Sequence, residues 1–324
     1  MYTAEYLLNS INKAIERENF HREPRELYEP INYIFSMGGK RIRPVMLLMA
    51  ADMYGGDLLE AMPAALGIEI FHNFSLIHDD IMDRAPLRRG KPTVHEKWNA
   101  NAAILSGDTM MVKAYDQLIR LPEPLIKPSL VIFNFTATGV CEGQQLDMNF
   151  EEKDNVTIPE YLEMIRLKTA VLIGAALKLG GLAAGASLED QQQLFDFGIH
   201  TGLLFQLRDD LLDTYGDAEV FGKKKYGDII ANKKTYLYLK ALEHTTGMAR
   251  KKLAELYANH TIDPDIKIKM VLEYFDDAEV EKLTEEKISE YYLLAREAFK
   301  TLKVAEENKE PLKKYTEQLM GRSF

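Results

Sequence analysis

Only one cysteine, Cys141, occurs in the chain. An intrachain disulfide is therefore excluded, and a structural zinc site built on thiolates lacks its ligands. This usage fits a reducing compartment, and a cytoplasmic protein is expected. Long hydrophobic runs are also missing. The longest stretch without Asp, Glu, Lys or Arg is Pro128 to Cys141, 14 residues, whereas a spanning helix needs about 20 apolar residues. No transmembrane segment is expected, and the start, Met1-Tyr2-Thr3-Ala4-Glu5, has no basic-then-apolar leader pattern. Positive charge is in the minority: 40 Lys and Arg against 50 Asp and Glu give a net charge of −10. A chain this acidic repels polyphosphate at long range, so no nucleic-acid partner is expected. With 20 Gly and 12 Pro in 324 residues, a linker-rich or fibrous chain is excluded.

What is present is helical period. Apolar residues recur at spacings of three and four along Leu58 to Met82, at Leu59, Met62, Leu66, Ile70, Phe74 and Ile77. Tyr161 to Ala184 and Leu188 to Leu212 behave alike, and no proline falls between Pro159 and Pro264. Alternating strand patterns are nearly absent. Glu279 to Glu306 and Pro311 to Gly321 read as charged outer helices, whereas Thr169 to Leu188 is rich in Ala, Gly and Leu and reads as central. None of the breaks is long or polar enough for a domain linker. The expectation is an all-α, single-domain bundle of long helices over residues 1–324.

The chemistry-bearing residues are aspartates. Asp79, Asp80 and Asp83 follow an apolar run, and positions i, i+1 and i+4 fall within about 100° of one helix turn. Like charges so placed repel, and unpaired charge beside a buried run is costly. A hard divalent cation removes both penalties, and magnesium leaves most of its positions to water and phosphate oxygens. The same spacing recurs at Asp209, Asp210 and Asp213. One such cluster reads equally well as a solvated helix end; two copies, each late in a long apolar helix, do not. Across a bundle from one another they would frame a pocket for magnesium ions and a diphosphate. Cations sit nearby in sequence: Lys40, Arg41 and Arg43 follow Gly38-Gly39, and Arg88-Arg89-Gly90 follows the first cluster. Arginine forks bind phosphate oxygens bidentately. His72 lies two helical turns before Asp79, while His78, in apolar surroundings, reads as structural.

In chain order these residues resemble the motifs of the trans-isoprenyl diphosphate synthases, or polyprenyl synthetases. The matching residues are Gly38-Gly39-Lys40-x-x-Arg43-Pro44, His72, His78-Asp79-Asp80-x-x-Asp83, Arg88-Arg89-Gly90 and Gly107-Asp108. They continue with Gly143-Gln144-x-x-Asp147, Lys168-Thr169, Phe205-Gln206-x-x-Asp209-Asp210-x-x-Asp213, Gly222-Lys223, Asp228 and Lys233-x-Thr235.

The resemblance implies a homodimeric all-α bundle with a deep central cavity. The implied activity joins isopentenyl diphosphate to an allylic diphosphate with three magnesium ions. Lys40, Arg43, His72 and Arg89 then resemble the isopentenyl diphosphate site. Arg88, Lys168, Thr169, Gln206, Lys223 and Lys233 resemble the allylic side. Asp79, Asp83 and Asp209 resemble direct magnesium ligands; Asp80, Asp210, Asp213 and Asp147 are ligands or partners of ligands. Lys168 and Lys233 would hold the departing diphosphate, with the Thr169 and Gln206 oxygens facing the allylic cation. Thr214 to Asn232 would close over the site. Phe74 and Ser75, five and four residues before Asp79, would floor the product channel, or Phe74 is simply a core residue. Such a floor implies a product of about C15 to C20, geranylgeranyl favoured, against the alternative of a longer chain. A terpene cyclase shares the first cluster but has no use for Lys40, Arg43 and Arg89. A helical phosphohydrolase would need more histidines nearby, and a non-catalytic partner subunit would have lost a cluster.

Overall fold

A computed structural model describes residues 1–18, 20–216, 225–259 and 261–321. Helices dominate it. α1 (Ala4–Arg17), α2 (Arg25–Ser36), α3 (Ile42–Met53) and α4 (Leu58–Met82) lead into a two-residue-a-side hairpin, β1 (Leu87–Arg88) and β2 (Lys91–Pro92). α5 (Val94–Lys97), α6 (Ala100–Leu118), α7 (Glu123–Glu152) and α8 (Ile158–Ile165) follow. A five-residue π turn, Arg166–Ala170, joins α8 to α9 (Val171–Ala183), which precedes α10 (Leu188–Tyr215). After the undescribed segment come α11 (Gly227–Ile230), α12 (Tyr236–His244), α13 (Gly247–Ala258), α14 (Pro264–Asp277), α15 (Val280–Lys300) and α16 (Glu306–Gly321).

The contacts group the chain into two compact units. The first comprises Met1–Phe135, Leu172–Phe195 and Leu302–Tyr315; the second comprises Thr136–Val171, Asp196–Thr301 and Thr316–Phe324. In the first unit α4 is the central element. It begins where the Asp57 side chain accepts from the Leu59 amide, and it buries Ala61, Ala64, Ala65, Ile68 and Phe71. Small residues let backbones meet there. A Cβ on Gly180 would lie 2.1 Å from the Leu47 carbonyl oxygen. In the second unit α8 starts with a capping box between Thr157 and Glu160, and buried Leu203, Leu204, Leu207 and Leu211 of α10 form core.

The helix expected over Tyr161 to Ala184 is interrupted by the π turn, which tertiary packing explains below. α16 begins at Glu306, five residues before Pro311, and its first turn carries a Lys309–Glu306 ion pair at 2.8 Å. Among the described residues one helix, α7, is long and apolar enough to cross a membrane, with 33% of its most apolar window buried. A window that tolerates scattered charges passes where an uninterrupted run does not. α7 buries Phe133, Ala137 and Val140.

Candidate active site

The first aspartate cluster closes α4. A helix C-terminus carries partial negative charge, so acids there are each disfavoured by about 0.3–1 kcal/mol. α4 nevertheless places Asp79 and Asp80 in its last turn, with no base, and Asp83 as its C-cap. The Asp83 amide donates to the Asp79 carbonyl at 2.8 Å, which closes the helix. Asp80 is 2% exposed and receives both arms of Arg88, Nε and Nη2, each at 2.8 Å. Its oxygens are thus committed to fixing Arg88. Asp79 is part-buried and Asp83 exposed.

The hairpin that returns Arg88 also delivers Arg89, whose guanidinium donates to the Gly38 carbonyl. Gly38 and Gly39 have φ of 73° and 145°, and a Cβ on Gly39 would stand 2.9 Å from both Arg89 terminal nitrogens. The left-handed backbone favours glycine at both positions, and Gly39 also leaves room for the Arg89 guanidinium. Arg41, itself left-handed with φ 47°, is an internal residue. It pairs with Glu69 at 2.7 Å, both side chains 3% exposed, and donates to the Phe35 carbonyl at 3.1 Å. Of the three cations in the glycine turn, Arg41 therefore serves structure. Lys40 is exposed.

Arg43 Nη1 lies 3.2 Å from His72 Nε2. Burial, then Arg43, Arg89, Arg88 and Arg41, hold the His72 imidazole well below its ordinary pKa. It is neutral, and because arginine only donates, Nε2 accepts and Nδ1 carries the proton. Burial pushes Arg43 down to about 10 and also lowers Arg89. Arg89 is lowered by burial first and then by Arg41 and Arg88, and guanidinium groups gathered around a neutral imidazole make a site that favours an anion. Beneath it on α4, Phe74 packs between a tilted Phe71 ring and the edge-on His78 ring, and the Ser75 hydroxyl donates to the His72 carbonyl at 2.9 Å.

The second cluster and its neighbours belong to the second unit. A Cβ on Gly143 would fall 2.3 Å from the Lys168 backbone nitrogen, so α7 touches the π turn there. Such turns are frequent at functional sites. Lys168 Nζ pairs with Asp147 at 2.6 Å. Thr169 Oγ1 donates to Gln206 Oε1 at 3.2 Å, and Gln206 Nε2 donates to Asp210 Oδ1 at 3.0 Å. The Tyr161 hydroxyl donates to the other Asp210 oxygen. Burial, then Asp228, push the Asp210 carboxyl up to about 8, while the tyrosine and amide bonds oppose them. Asp213 accepts from the Gly227 and Asp228 amides at 3.2 and 3.0 Å and so caps α11. Asp209 is part-buried and Lys233 exposed. Lys234, not Lys233, ties down the end of α7 through the Phe150 and Lys153 carbonyls at 2.7 and 2.6 Å. Gly222, Lys223 and the rest of residues 217–224 of the expected lid lie outside the described residues.

Tyr161 and Glu69 were not marked in the sequence. Tyr161 has no local signal, since its partner is 49 residues away. Glu69 has one: it is the only acid within Gly67-Ile68-Glu69-Ile70-Phe71, a run that must bury. Among the described residues no group of three or more His, Cys, Asp or Glu side chains converges as a ready metal cage. Magnesium does not need one, because it takes one or two carboxylates and completes its shell with water and phosphate. Carboxylates gathered at the negative end of α4 fit that donor chemistry.

The chain matches the polyprenyl synthetase family model over residues 24–275. It is 45% identical over 222 residues to a geranylgeranyl diphosphate synthase of Methanosarcina mazei, covering 68% of each chain. It is 37% identical to a geranylfarnesyl diphosphate synthase of Natronomonas pharaonis, over 71% of this chain and 73% of that one. A crystal structure of a geranylgeranyl pyrophosphate synthase superposes with a TM-score of 0.95 at 43% identity, covering 100% of both chains. The family match spans the range that holds the glycine turn, both aspartate clusters and the π turn, and the chain belongs to the polyprenyl synthetase family.

Proposed function

We propose that this chain is a trans-prenyltransferase that condenses isopentenyl diphosphate with an allylic diphosphate to a short all-trans prenyl diphosphate, C20 geranylgeranyl diphosphate favoured. The observation that carries the reading is the guanidinium cluster of Arg43, Arg88 and Arg89 around neutral His72, on the helix that ends in Asp79, Asp80 and Asp83. Lys40, Arg43, Arg89 and His72 bind the isopentenyl diphosphate. A terpene cyclase, which takes one diphosphate, has no use for that cluster.

Asp79, Asp83 and Asp209 are the residues that would hold magnesium, three ions in this reading, with the allylic diphosphate, and Asp80, Asp210, Asp213 and Asp147 would steady the groups around them. Magnesium supplies Lewis-acid stabilisation of the charge that develops on the leaving diphosphate. Lys168, Lys233 and Arg88 add positive charge at that group, and Lys223, outside the described residues, is assigned there from the sequence motif alone. The allylic C–O bond breaks, its electron pair leaving with the diphosphate. The isopentenyl double bond then attacks the allylic carbon, forming the new C–C bond. A proton is lost beside the resulting cation, and the released diphosphate accepts it. Thr169 and Gln206 direct oxygens at the allylic cation. The hydrogen-bond chain from Asp210 through Gln206 to Thr169 fixes the amide so that its oxygen lies on the Thr169 side. Water must stay out until the bond forms.

Phe74 floors the growing chain, with Ser75 beside it. Both units serve one catalytic domain over 1–324, since the family match runs through both. A second copy covers an apolar patch of the first unit. Leu105 and Val112 of α6 are 59% exposed each, and Val131 and Phe135 of α7 are 63% and 61% exposed. They lie at helical spacings of seven and four on helices joined by a Tyr115–Phe133 ring contact at 5.0 Å. The lone Cys141 suits the cytoplasm.

Radiolabelled isopentenyl diphosphate with C5, C10 and C15 primers and magnesium tests the reading. Labelled C20 product is expected. No incorporation with any primer refutes it.

A further inference from the structure

His78 and Gly107 are the residues of the first unit that the reaction leaves without a task. His78 sits one turn after Phe74 on α4, and their rings meet edge-on, centroids 4.7 Å apart at 63°. On its other flank Phe74 touches Phe71 at 5.5 Å. Phe71 is fully buried and wedged against Phe133 at 5.2 Å, itself in contact with Tyr115. One flank is thus core and cannot shift without repacking it. The other flank is a single imidazole. That imidazole is fixed from outside α4: its Nε2 donates to the Ile104 carbonyl of α6 at 3.2 Å and stands 3.9 Å from Asp108. Its reach to α6 depends on one missing atom. A Cβ on Gly107 would lie 2.3 Å from Nε2 and 2.6 Å from Cδ2. A planar ring anchored at one end cannot escape such a clash by a small rotation.

We propose that His78, seated in the gap left by Gly107, is a positioning residue that pins the Phe74 ring and thereby sets the length of the product. The inference rests on the prenyltransferase reading and on Phe74 as the floor of the channel. It assigns the setting of that floor to a side chain on the far side of the ring from the core. A pinned ring stops the growing chain; an unpinned ring swings aside and admits another five-carbon unit.

The test is the product ladder of the full-length enzyme, measured by chromatography after incubation with labelled isopentenyl diphosphate and a C15 primer. The readout is the ratio of longer products to the main wild-type product, which a general loss of activity does not move. His78→Ala and His78→Gln should each raise that ratio about two- to tenfold, the effect of losing one edge-on aromatic contact. Glutamine keeps a donor for Ile104 but no ring. Gly107→Ala, on α6 and not on the helix that carries Asp79, should raise it likewise by expelling the imidazole. In a Phe74→Ala background, where the products are already long, His78→Ala should add nothing, the non-additivity expected of residues in contact. If Phe74→Ala lengthens the products while both His78 variants keep the wild-type ladder, His78 does not act through Phe74 and the inference is overturned. If Phe74→Ala leaves the ladder unchanged as well, the floor falls with it. If the wild type elongates no primer, the prenyltransferase reading itself has failed.

Discussion

The buried pair between Arg41 and Glu69 offers a quantitative test of how the glycine turn is held. Arg41→Met keeps the bulk of the side chain and removes its charge. Glu69 is then left 3% exposed, with only the Asn73 amide at 2.9 Å to satisfy its carboxylate. Breaking a buried pair from one side costs about 3–5 kcal/mol, mostly the penalty of the stranded charge. The unfolding entropy of a 324-residue chain is about 0.7 kcal/mol/K at ~2.1 cal/mol/K per residue. The melting temperature should therefore fall by about 4–7 °C. The double variant Arg41→Met/Glu69→Met strands no charge and should recover most of the loss. Thermal unfolding followed by far-UV circular dichroism, at one protein concentration for all variants, reads both numbers. Arg41 also sets the entry to α3 in a left-handed conformation, so the single variant should weaken isopentenyl diphosphate binding through Arg43. A single variant within about 1 °C of wild type refutes the claim that this pair is buried and committed. So does a double variant as unstable as the two singles combined.

Other predictions can be checked alongside. Asp79→Ala and Asp209→Ala should each abolish turnover while leaving the helical circular dichroism intact; activity surviving either change removes that cluster from the mechanism. Gly143→Ala forces a Cβ against the Lys168 backbone. It should lose activity and about 2–3 kcal/mol of stability, as overpacking does, and a fully active variant would show the π turn to be dispensable. His72 has a folded pKa below its unfolded one, so its contribution to stability is complete above about pH 6.5 and is lost as pH falls below that value. Below it the stability of the wild type should decline by up to about 1.4 kcal/mol per pH unit more steeply than that of His72→Asn, and equal slopes in urea titrations would mean that His72 is not buried neutral.

Much of this was legible in the sequence because its signals are local. The bounds Leu58 and Met82 of α4 follow from an aspartate cap and an uninterrupted apolar stripe. The aspartate clusters announce themselves by spacing. What the sequence hides depends on residues far apart. The break in the helix after Ile165 has no proline and no glycine to mark it; it arises because Gly143, on α7, lets that helix press against Lys168. Tyr161 reads as an ordinary buried aromatic until its hydroxyl meets Asp210. Arg41 and Arg43 look alike two positions apart, and only the structure shows that Arg41 pairs with buried Glu69 while Arg43 meets His72. Glu69 could have been found, since an acid inside an obligatorily buried run demands a cation.

Places where local rules are broken coincide with the proposed site, and each break is costly unless a ligand compensates. Acids close α4 at its negative end, where a base would be favoured. Arg41 and Arg89 adopt left-handed backbone at 47° and 53° to present their side chains, a conformation that disfavours any residue with a Cβ. Arg89 is held where the charges of Arg41 and Arg88 repel it. A sequence selected for stability alone would remove these conflicts one at a time, because each removal is a gain. Cations and anions kept apart in this way are relieved together only by a guest that carries both signs: divalent metal for the carboxylates, phosphate oxygens for the guanidinium groups. A magnesium diphosphate is such a guest. Magnesium and diphosphate together should therefore raise the melting temperature by more than the sum of their separate effects. Additive shifts would mean that the carboxylates and the guanidinium groups bind independently, and the shared-ligand account would fall.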